Sequence, residues 1–222
     1  MVQNSDCQSI SPLVYVIKHL AAKRAFDILF SLLCLTIGFP LYLLIAVLIF
    51  ITSDGSIIYS QIRVGRGGKL FRCYKFRTMY LDAEQRLQSI LQNDPVLQRE
   101  WSLYHKLKND PRVTFFGKIL RKTSLDELPQ FWNVFKGDLS VVGPRPVVQQ
   151  ELNTHFGDKA YKILCMRPGL TGLWQVSGRS DINCYQTRIK LDEYYIDNHS
   201  LQFDLKLIAK TIPVIFLSRG AY

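Results

Sequence analysis

A mostly helical α+β fold is predicted by three observations. Residues 28–51 are 24 consecutive positions without a charge, long enough for a helix at bilayer depth. Residues 57–64 and 70–79 carry β-like sequence on either side of Gly65-Arg66-Gly67-Gly68, which predicts a small hairpin. After Ser124, the residues Leu128, Phe131, Trp132 and Phe135 recur at spacings of three and four, the period of an amphipathic helix. With 222 residues, 48% of them hydrophobic, the chain can bury a core as one functional domain.

Taken in order, residues 1–25 form an amino-terminal segment in which apolar residues 13–20, broken by Lys18 and His19, run into Lys23 and Arg24. This pattern suits a membrane surface. Residues 26–52 form the membrane helix. Its apolar run exceeds the roughly 7 to 15 residues of a cleavable signal, and no small-residue cleavage site follows it. Lys18, Lys23 and Arg24 precede it, while Arg63, Arg66, Lys69, Arg72, Lys75 and Arg77 follow it, so the positive-inside rule wants both ends in the cytoplasm. Gly38-Phe39-Pro40 falls at the midpoint and combines a flexible residue with a proline that removes a backbone hydrogen bond. A re-entrant helix satisfies both features, each arm reaching about 18 Å. A proline-kinked spanning helix is the alternative.

Residues 53–222 form the remaining, cytoplasmic-face part. Lys75 and Arg77, two apart on the second strand, are expected to share a face, either in a pocket or as a solvated basic edge. Residues 82–110 read as two helices broken at Asp94-Pro95, with Leu97, Trp101 and Tyr104 as a packing stripe. The centre of interest is Leu120-Arg121-Lys122-Thr123-Ser124-Leu125-Asp126-Glu127-Leu128-Pro129-Gln130. Thr123 and Ser124 are capping types, and Pro129 is tolerated only in a first turn, so a helix is expected to begin close to Asp126. Ser124-x-x-Glu127 then reads either as a plain capping box or as the scaffold of a catalytic pair. This helix is expected to end near Lys136-Gly137.

Beyond it, Gly143-Pro144-Arg145-Pro146 holds one arginine between two prolines, a preset phosphate clamp or a rigid turn. The stretch from Arg167-Pro168-Gly169 to Gly178-Arg179 offers glycines for a close backbone approach to a ligand, and Trp174 fits core or base stacking equally. The tail carries Phe203, Leu207, Ile208, Ile212, Ile215 and Phe216 with Lys206 and Lys210, an amphipathic pattern for an anionic membrane surface or for docking on the domain.

The net charge of +10 implies an anionic partner: nucleic acid, anionic lipid or phosphorylated substrate. No nucleic-acid motif is present, so no nucleic acid is expected. The 5 cysteines include no C-x-x-C pair, which argues against a disulfide framework or a zinc site and fits a reducing compartment.

The ordered motifs Lys23-Arg24-Ala25-Phe26-Asp27, Tyr74-Lys75-Phe76-Arg77-Thr78-Met79, Ser124-Leu125-Asp126-Glu127-Leu128-Pro129, Gly143-Pro144-Arg145-Pro146, and Arg167-Pro168-Gly169 with Gly178-Arg179 resemble the bacterial sugar transferases, the monotopic polyprenyl-phosphate phosphoglycosyl transferases. The resemblance covers residues 20–222. The insert at 82–110, Leu173-Trp174-Gln175-Val176-Ser177-Gly178-Arg179 and the ending Arg219-Gly220-Ala221-Tyr222 look most like the branch acting with galactose and undecaprenyl phosphate. Larger members carry a multi-span amino-terminal region, so this chain is expected to be the catalytic unit alone.

The resemblance implies transfer of a sugar 1-phosphate from a UDP-sugar to undecaprenyl phosphate at the cytoplasmic face of the bacterial inner membrane, starting a lipid-linked exopolysaccharide, capsule or O-antigen. It implies Mg²⁺ as cofactor, Asp126 as nucleophile and metal ligand, and Glu127 as its metal-binding partner. Arg121 and Arg145 are then the expected phosphate-binding residues, followed by Lys75, Arg77, Arg167 and Arg179. It also implies a re-entrant membrane helix with its break at Gly38, Phe39 and Pro40, although the family pairs serine with proline where this chain has Phe39-Pro40. Membrane lipids are expected partners, and a homodimer is the assembly left open. Glucose or an N-acetylated amino sugar in place of galactose is the alternative substrate. A membrane-anchored protein binding anionic lipid or nucleic acid, or a hydrolase sending the phosphoenzyme to water, is the alternative class.

Overall fold

The computed structural model describes residues 12–104, 107, 110–178 and 184–216. The charge-free run forms two helices, α1 (Pro12–Ile37) and α2 (Phe39–Thr52), bent by 59° at Gly38. Pro40 lies in the first turn of α2, where it has no N–H for the Thr36 carbonyl and its ring presses on that turn. Gly38 supplies the clearance, since a Cβ there would collide with the Cys34 carbonyl and the Tyr42 ring. The break therefore falls where the sequence predicts it. The lead-in and the first arm, however, are one continuous helix. Among the described residues no single helix is long and apolar enough to cross a membrane, whereas this bent pair passes by length and composition.

Both ends of the pair attach to the same body. On α1, Lys23 donates to Asp204 at 2.6 Å, and Asp27 accepts from the Ser140 hydroxyl and the Val141 amide, both at 3.0 Å. Arg24 reaches the carbonyls of Val134 and Phe135, at 2.6 and 2.7 Å. Just past α2, the Asp54 carbonyl accepts from Arg77 at 2.8 Å. Lys23 and Arg24 thus do not act as the free positive charges that the topology argument counted. They are committed to the domain interior, because a buried ammonium or guanidinium needs partners.

Strands β1 (Ile58–Val64) and β2 (Leu70–Phe76) form the predicted antiparallel hairpin, with Gln61 opposite Cys73. Helices α3 (Ala83–Asn93) and α4 (Pro95–Tyr104) break at Asp94 as expected, and the Trp101 ring packs under Arg112 at 5.0 Å. Helices α5 (Phe115–Thr123) and α6 (Gln130–Lys136) then flank the dyad, and α6 ends at Gly137 in a left-handed conformation. Strand β3 (Ser140–Val142) is followed by α7 (Gln149–His155), α8 (Ala160–Ile163) and β4 (Gly169–Thr171), which pairs parallel with β3. Gly169 permits the close approach of these strands, since a Cβ there would collide with the Gly143 amide nitrogen. The chain continues through α9 (Leu173–Val176), α10 (Tyr185–Asn198) and α11 (Leu201–Phe216).

The main core joins Cys73, Val134, Leu139, Val141, Val142, Met166, Tyr195 and Leu207, so α11 docks on the domain through one face. Its Leu205 and Ile212 stay exposed, as do Phe115 and Ile119 on α5 and Trp132 on α6. A second cluster of Ile45, Ile49, Phe76 and Leu120 seats α2 against the hairpin and α5.

Candidate active site

Helix α5 starts at Thr114, whose hydroxyl accepts from the Gly117 amide at 2.9 Å, and presents Arg121 in its last turn. It stops at Ser124, the one described non-glycine residue with positive φ, at 57°. The next residues, Leu125–Glu127, form a single 3-10 turn, and α6 begins only after Pro129. This corrects the expected helix start and capping box. Ser124 is used up in closing α5, and a left-handed residue does not have the extended backbone of an amino-terminal cap. Asp126 and Glu127 therefore sit on a tight connection between two helices, not in the first turn of one.

Asp126 is 8% exposed while the Glu127 side chain is more open. Lys75, from β2, bridges them, with Nζ 2.6 Å from Glu127 Oε1 and 3.7 Å from Asp126 Oδ2. Burial pushes the Asp126 carboxyl up to about 6, opposed by Lys75, reinforced by Glu127 and opposed again by Arg121. Burial also works against the Lys75 charge, but Glu127 and Asp126 outweigh it and hold the ammonium above its usual value. Arg121 is steered by its Nε bond to the buried Thr78 hydroxyl, at 2.9 Å. The result is a buried, basic carboxylate next to two cations, suited to attack on an anionic phosphorus centre.

Helix α2 supports this turn directly. The Tyr42 hydroxyl donates to the Leu128 carbonyl at 2.9 Å, and Leu125 and Leu128 pack on the Ile45, Ile49, Phe76 and Leu120 cluster. The position of the bent pair and that of the dyad are thereby mechanically linked.

The other expected residues divide. Arg145 lies 4.8 Å over the Trp174 ring, and its charge is felt at Lys75. Trp174 itself is buried core. Arg77 does not share the Lys75 site, because β2 ends at Phe76 and Arg77 turns to the Asp54 carbonyl. Arg167 donates to the Gly137 carbonyl at 2.8 Å and lines a small cavity with Lys23, Arg24, Asp27 and Arg66, at the α1 side. Arg179 lies outside the described residues. Gly38, Phe39 and Pro40 form the bend.

Two cations were not anticipated. Arg63 on β1 is held by Gln61 Oε1 at 2.7 Å and the Pro146 carbonyl at 3.4 Å, and Glu127 and Arg145 both influence its charge. Arg188 on α10 is buried beside Trp174. The available signal was its spacing: Arg188, Asp192 and Tyr195 recur at four and three on a buried stripe, where a charge needs a reason.

Among the described residues no group of three or more His, Cys, Asp or Glu is arranged to hold a metal. Asp126 and Glu127 offer two adjacent carboxylates beside Lys75. That set suits a hard cation that takes one or two carboxylates and completes its shell with water and phosphate oxygens.

Asp192 is 1% exposed, and burial pushes its carboxyl up to about 7 against the pull of Arg188 and Arg145. The Arg145 amide lies toward it without completing a hydrogen bond. Since the folded value exceeds the unfolded 3.8, ionisation costs stability progressively as pH rises from about 4 through 7. Asp192→Asn should therefore gain on the wild type with rising pH, by about 2 to 3 kcal/mol at pH 8 relative to pH 5. Thermal melts at both values measure this, and a pH-independent difference would refute it.

A profile described as Bacterial sugar transferase matches residues 18–218. The chain is 47% identical over 201 residues to the exopolysaccharide production protein ExoY of Sinorhizobium fredii, covering 90% of this chain and 88% of that protein. It is 49% identical to the undecaprenyl-phosphate galactose phosphotransferase of Salmonella typhimurium, covering 90% of this chain and 41% of that protein. It is 47% identical to the UDP-galactose-lipid carrier transferase of Erwinia amylovora, covering 90% of this chain and again 41% of that protein. The chain thus spans nearly all of the first relative and under half of the other two.

Proposed function

The chain belongs to the bacterial sugar transferase family, and from that premise we propose that it transfers a sugar 1-phosphate from a UDP-sugar to undecaprenyl phosphate through a covalent intermediate on Asp126. The observation that supports this most is the buried Asp126 carboxylate with Lys75 3.7 Å away and Arg121 within its field. In the first half-reaction an Asp126 oxygen attacks the phosphorus bound to the sugar. The bond from that phosphorus to the uridylate oxygen breaks, and UMP leaves with the electron pair. In the second, an oxygen of the lipid phosphate attacks the same phosphorus, the acyl-phosphate bond breaks, and the carboxylate returns.

Lys75 and Arg121 offset the negative charge that both substrates bring to Asp126, and Arg145 extends the cationic field. Asp126 and Glu127 would hold Mg²⁺, which would neutralise diphosphate charge. Galactose is the favoured sugar because two relatives at 47% and 49% identity are named for it. Incubation with a panel of UDP-sugars and Mg²⁺ tests the function. UMP release, one phosphosugar of added mass on the protein, and lipid product only when polyprenyl phosphate is supplied are expected. A protein that releases UMP only by hydrolysis, regardless of lipid, would instead be a hydrolase.

The bent pair is read as entering and leaving one membrane face, because Lys23 and Asp54 anchor its two ends to the same body. Cysteines placed at the exposed Ala21 and Ser56 in a cysteine-free background should both react with an impermeant maleimide only from the cytoplasmic side. Labelling from opposite sides would sink the re-entrant topology.

A further inference from the structure

The transfer chemistry above gives Arg145 a part but leaves Arg188 and Arg63, gathered beside it, without a task. Arg188 is 6% exposed, yet among the described residues its Nε and Nη2 have no hydrogen-bond partner. Asp192, one turn further along α10 and also buried, does not supply one, because both of its carboxylate oxygens are themselves unpartnered. Glu151, the other acid in the neighbourhood, is occupied by the Tyr185 hydroxyl at 3.3 Å and the Val148 amide at 3.4 Å.

More positive charge converges here. Arg145 and Arg188 share the Trp174 ring, 4.8 and 5.2 Å from its centre, and Arg188 also lies 5.5 Å from the Tyr185 ring. Tyr185 is stacked on His155 with 3.8 Å between ring centres, so the aromatic platform is rigid. Arg63 completes the group, since it bonds the Pro146 carbonyl, next to Arg145 in the chain, at 3.4 Å.

A folded protein does not hold a nine-tenths buried guanidinium with two unbonded nitrogens beside another cation without compensation. Packing against Trp174 satisfies the faces of these guanidinium groups and leaves their N–H edges directed elsewhere. Such a stacked arginine is preset, and its planar fork matches the paired oxygens of a phosphate. The cluster also adjoins the reaction centre, because Arg63 lies on β1, which pairs with the β2 strand that carries Lys75 to Glu127, and bonds the Pro146 carbonyl next to Arg145.

We propose that Arg188, together with Arg145 and Arg63, forms a second phosphate subsite beside the dyad, which receives a phosphoryl group carried by one of the two substrates. This assignment rests on the sugar-phosphate transfer reading. The group comes either from the nucleotide or from the lipid phosphate, and both present a pair of negatively charged phosphate oxygens to a guanidinium fork.

The test compares wild type, Arg188→Gln and Arg188→Lys in detergent, with UMP against uridine and farnesyl phosphate against farnesol. Arg188→Gln should weaken binding of one phosphate ligand about 10- to 100-fold while its dephosphorylated counterpart is unchanged. Loss confined to UMP identifies the nucleotide as the source, and loss confined to farnesyl phosphate identifies the lipid. Inorganic phosphate should raise the melting temperature of the wild type, and the variant should lose that increase. If Arg188→Gln does not fold, Arg188→Lys carries the test, because it keeps a buried cation but not the fork. Unchanged affinity for every phosphate ligand, with an unchanged phosphate-dependent melting shift, overturns the subsite. These binding measurements do not depend on turnover. A wild type that binds phosphate through Arg188 but forms no phosphosugar adduct with any UDP-sugar would defeat the transfer reading while leaving the subsite standing.

Discussion

Asp126→Asn is expected to abolish sugar-phosphate transfer, by about 10⁴-fold or more, the scale seen when a covalent nucleophile is removed. The amide keeps the size and one acceptor oxygen of the carboxylate but cannot form the acyl phosphate. Three measurements should change together: UMP release, the added phosphosugar mass, and exchange of labelled UMP into UDP-sugar in the absence of lipid. Exchange is the most telling, since it reports the first half-reaction alone. Full exchange in Asp126→Asn would remove Asp126 from the nucleophile role whatever happened to overall turnover. Misfolding does not explain the expected loss. Burial raises the wild-type carboxyl to about 6, so its ionised form is disfavoured in the folded protein, and a neutral amide relieves that cost. The variant should melt no lower than the wild type.

Asp204→Ala is expected to give the largest loss of stability. Asp204 is 1% exposed and accepts from Lys23 at 2.6 Å and from the Tyr195 hydroxyl at 2.7 Å. Tyr195 is fully buried and keeps only a longer bond to the Val142 carbonyl, at 3.2 Å. Removing the carboxylate strands an ammonium and weakens a hydroxyl in the interior. Breaking such a pair costs about 3 to 5 kcal/mol, a large part of the roughly 5 to 15 kcal/mol that holds a domain together. The melting temperature should fall on the order of 10 °C. Replacing both partners, Lys23→Met with Asp204→Leu, should recover most of the loss, because the pair then leaves no uncompensated charge. A double variant as unstable as Asp204→Ala would show that the damage lies in packing rather than in the stranded charge. The pair also fastens α1 to α11, so its loss should loosen the attachment of the apolar helices to the domain.

Local pattern carried much of the fold. The bend at Gly38-Phe39-Pro40, the hairpin, the break at Asp94-Pro95 and the end of α6 at Gly137 were all readable, because each follows from residues that restrict or free the backbone on the spot. The dyad was readable as a pair of adjacent acids. The capping box was not, because it depended on whether α5 had already used Ser124, and that helix escaped notice.

What the sequence by itself determined is therefore the chemistry on offer and its order along the chain: an apolar bent pair, two adjacent carboxylates and a set of arginines. Which arginine serves which partner was decided only in three dimensions. Lys75 reaches the dyad while Arg77, two residues away, turns to Asp54, and Arg167 serves Gly137. Lys23 and Asp204 are separated by 181 positions, and no local spacing connects them. Periodicity reports the face of an element on which a side chain lies, whereas the identity of the opposing element depends on long-range packing. The packing that couples Tyr42 of the bent pair to Leu128 beside the dyad is of the same kind, and it holds the buried Asp126 at its position relative to α2.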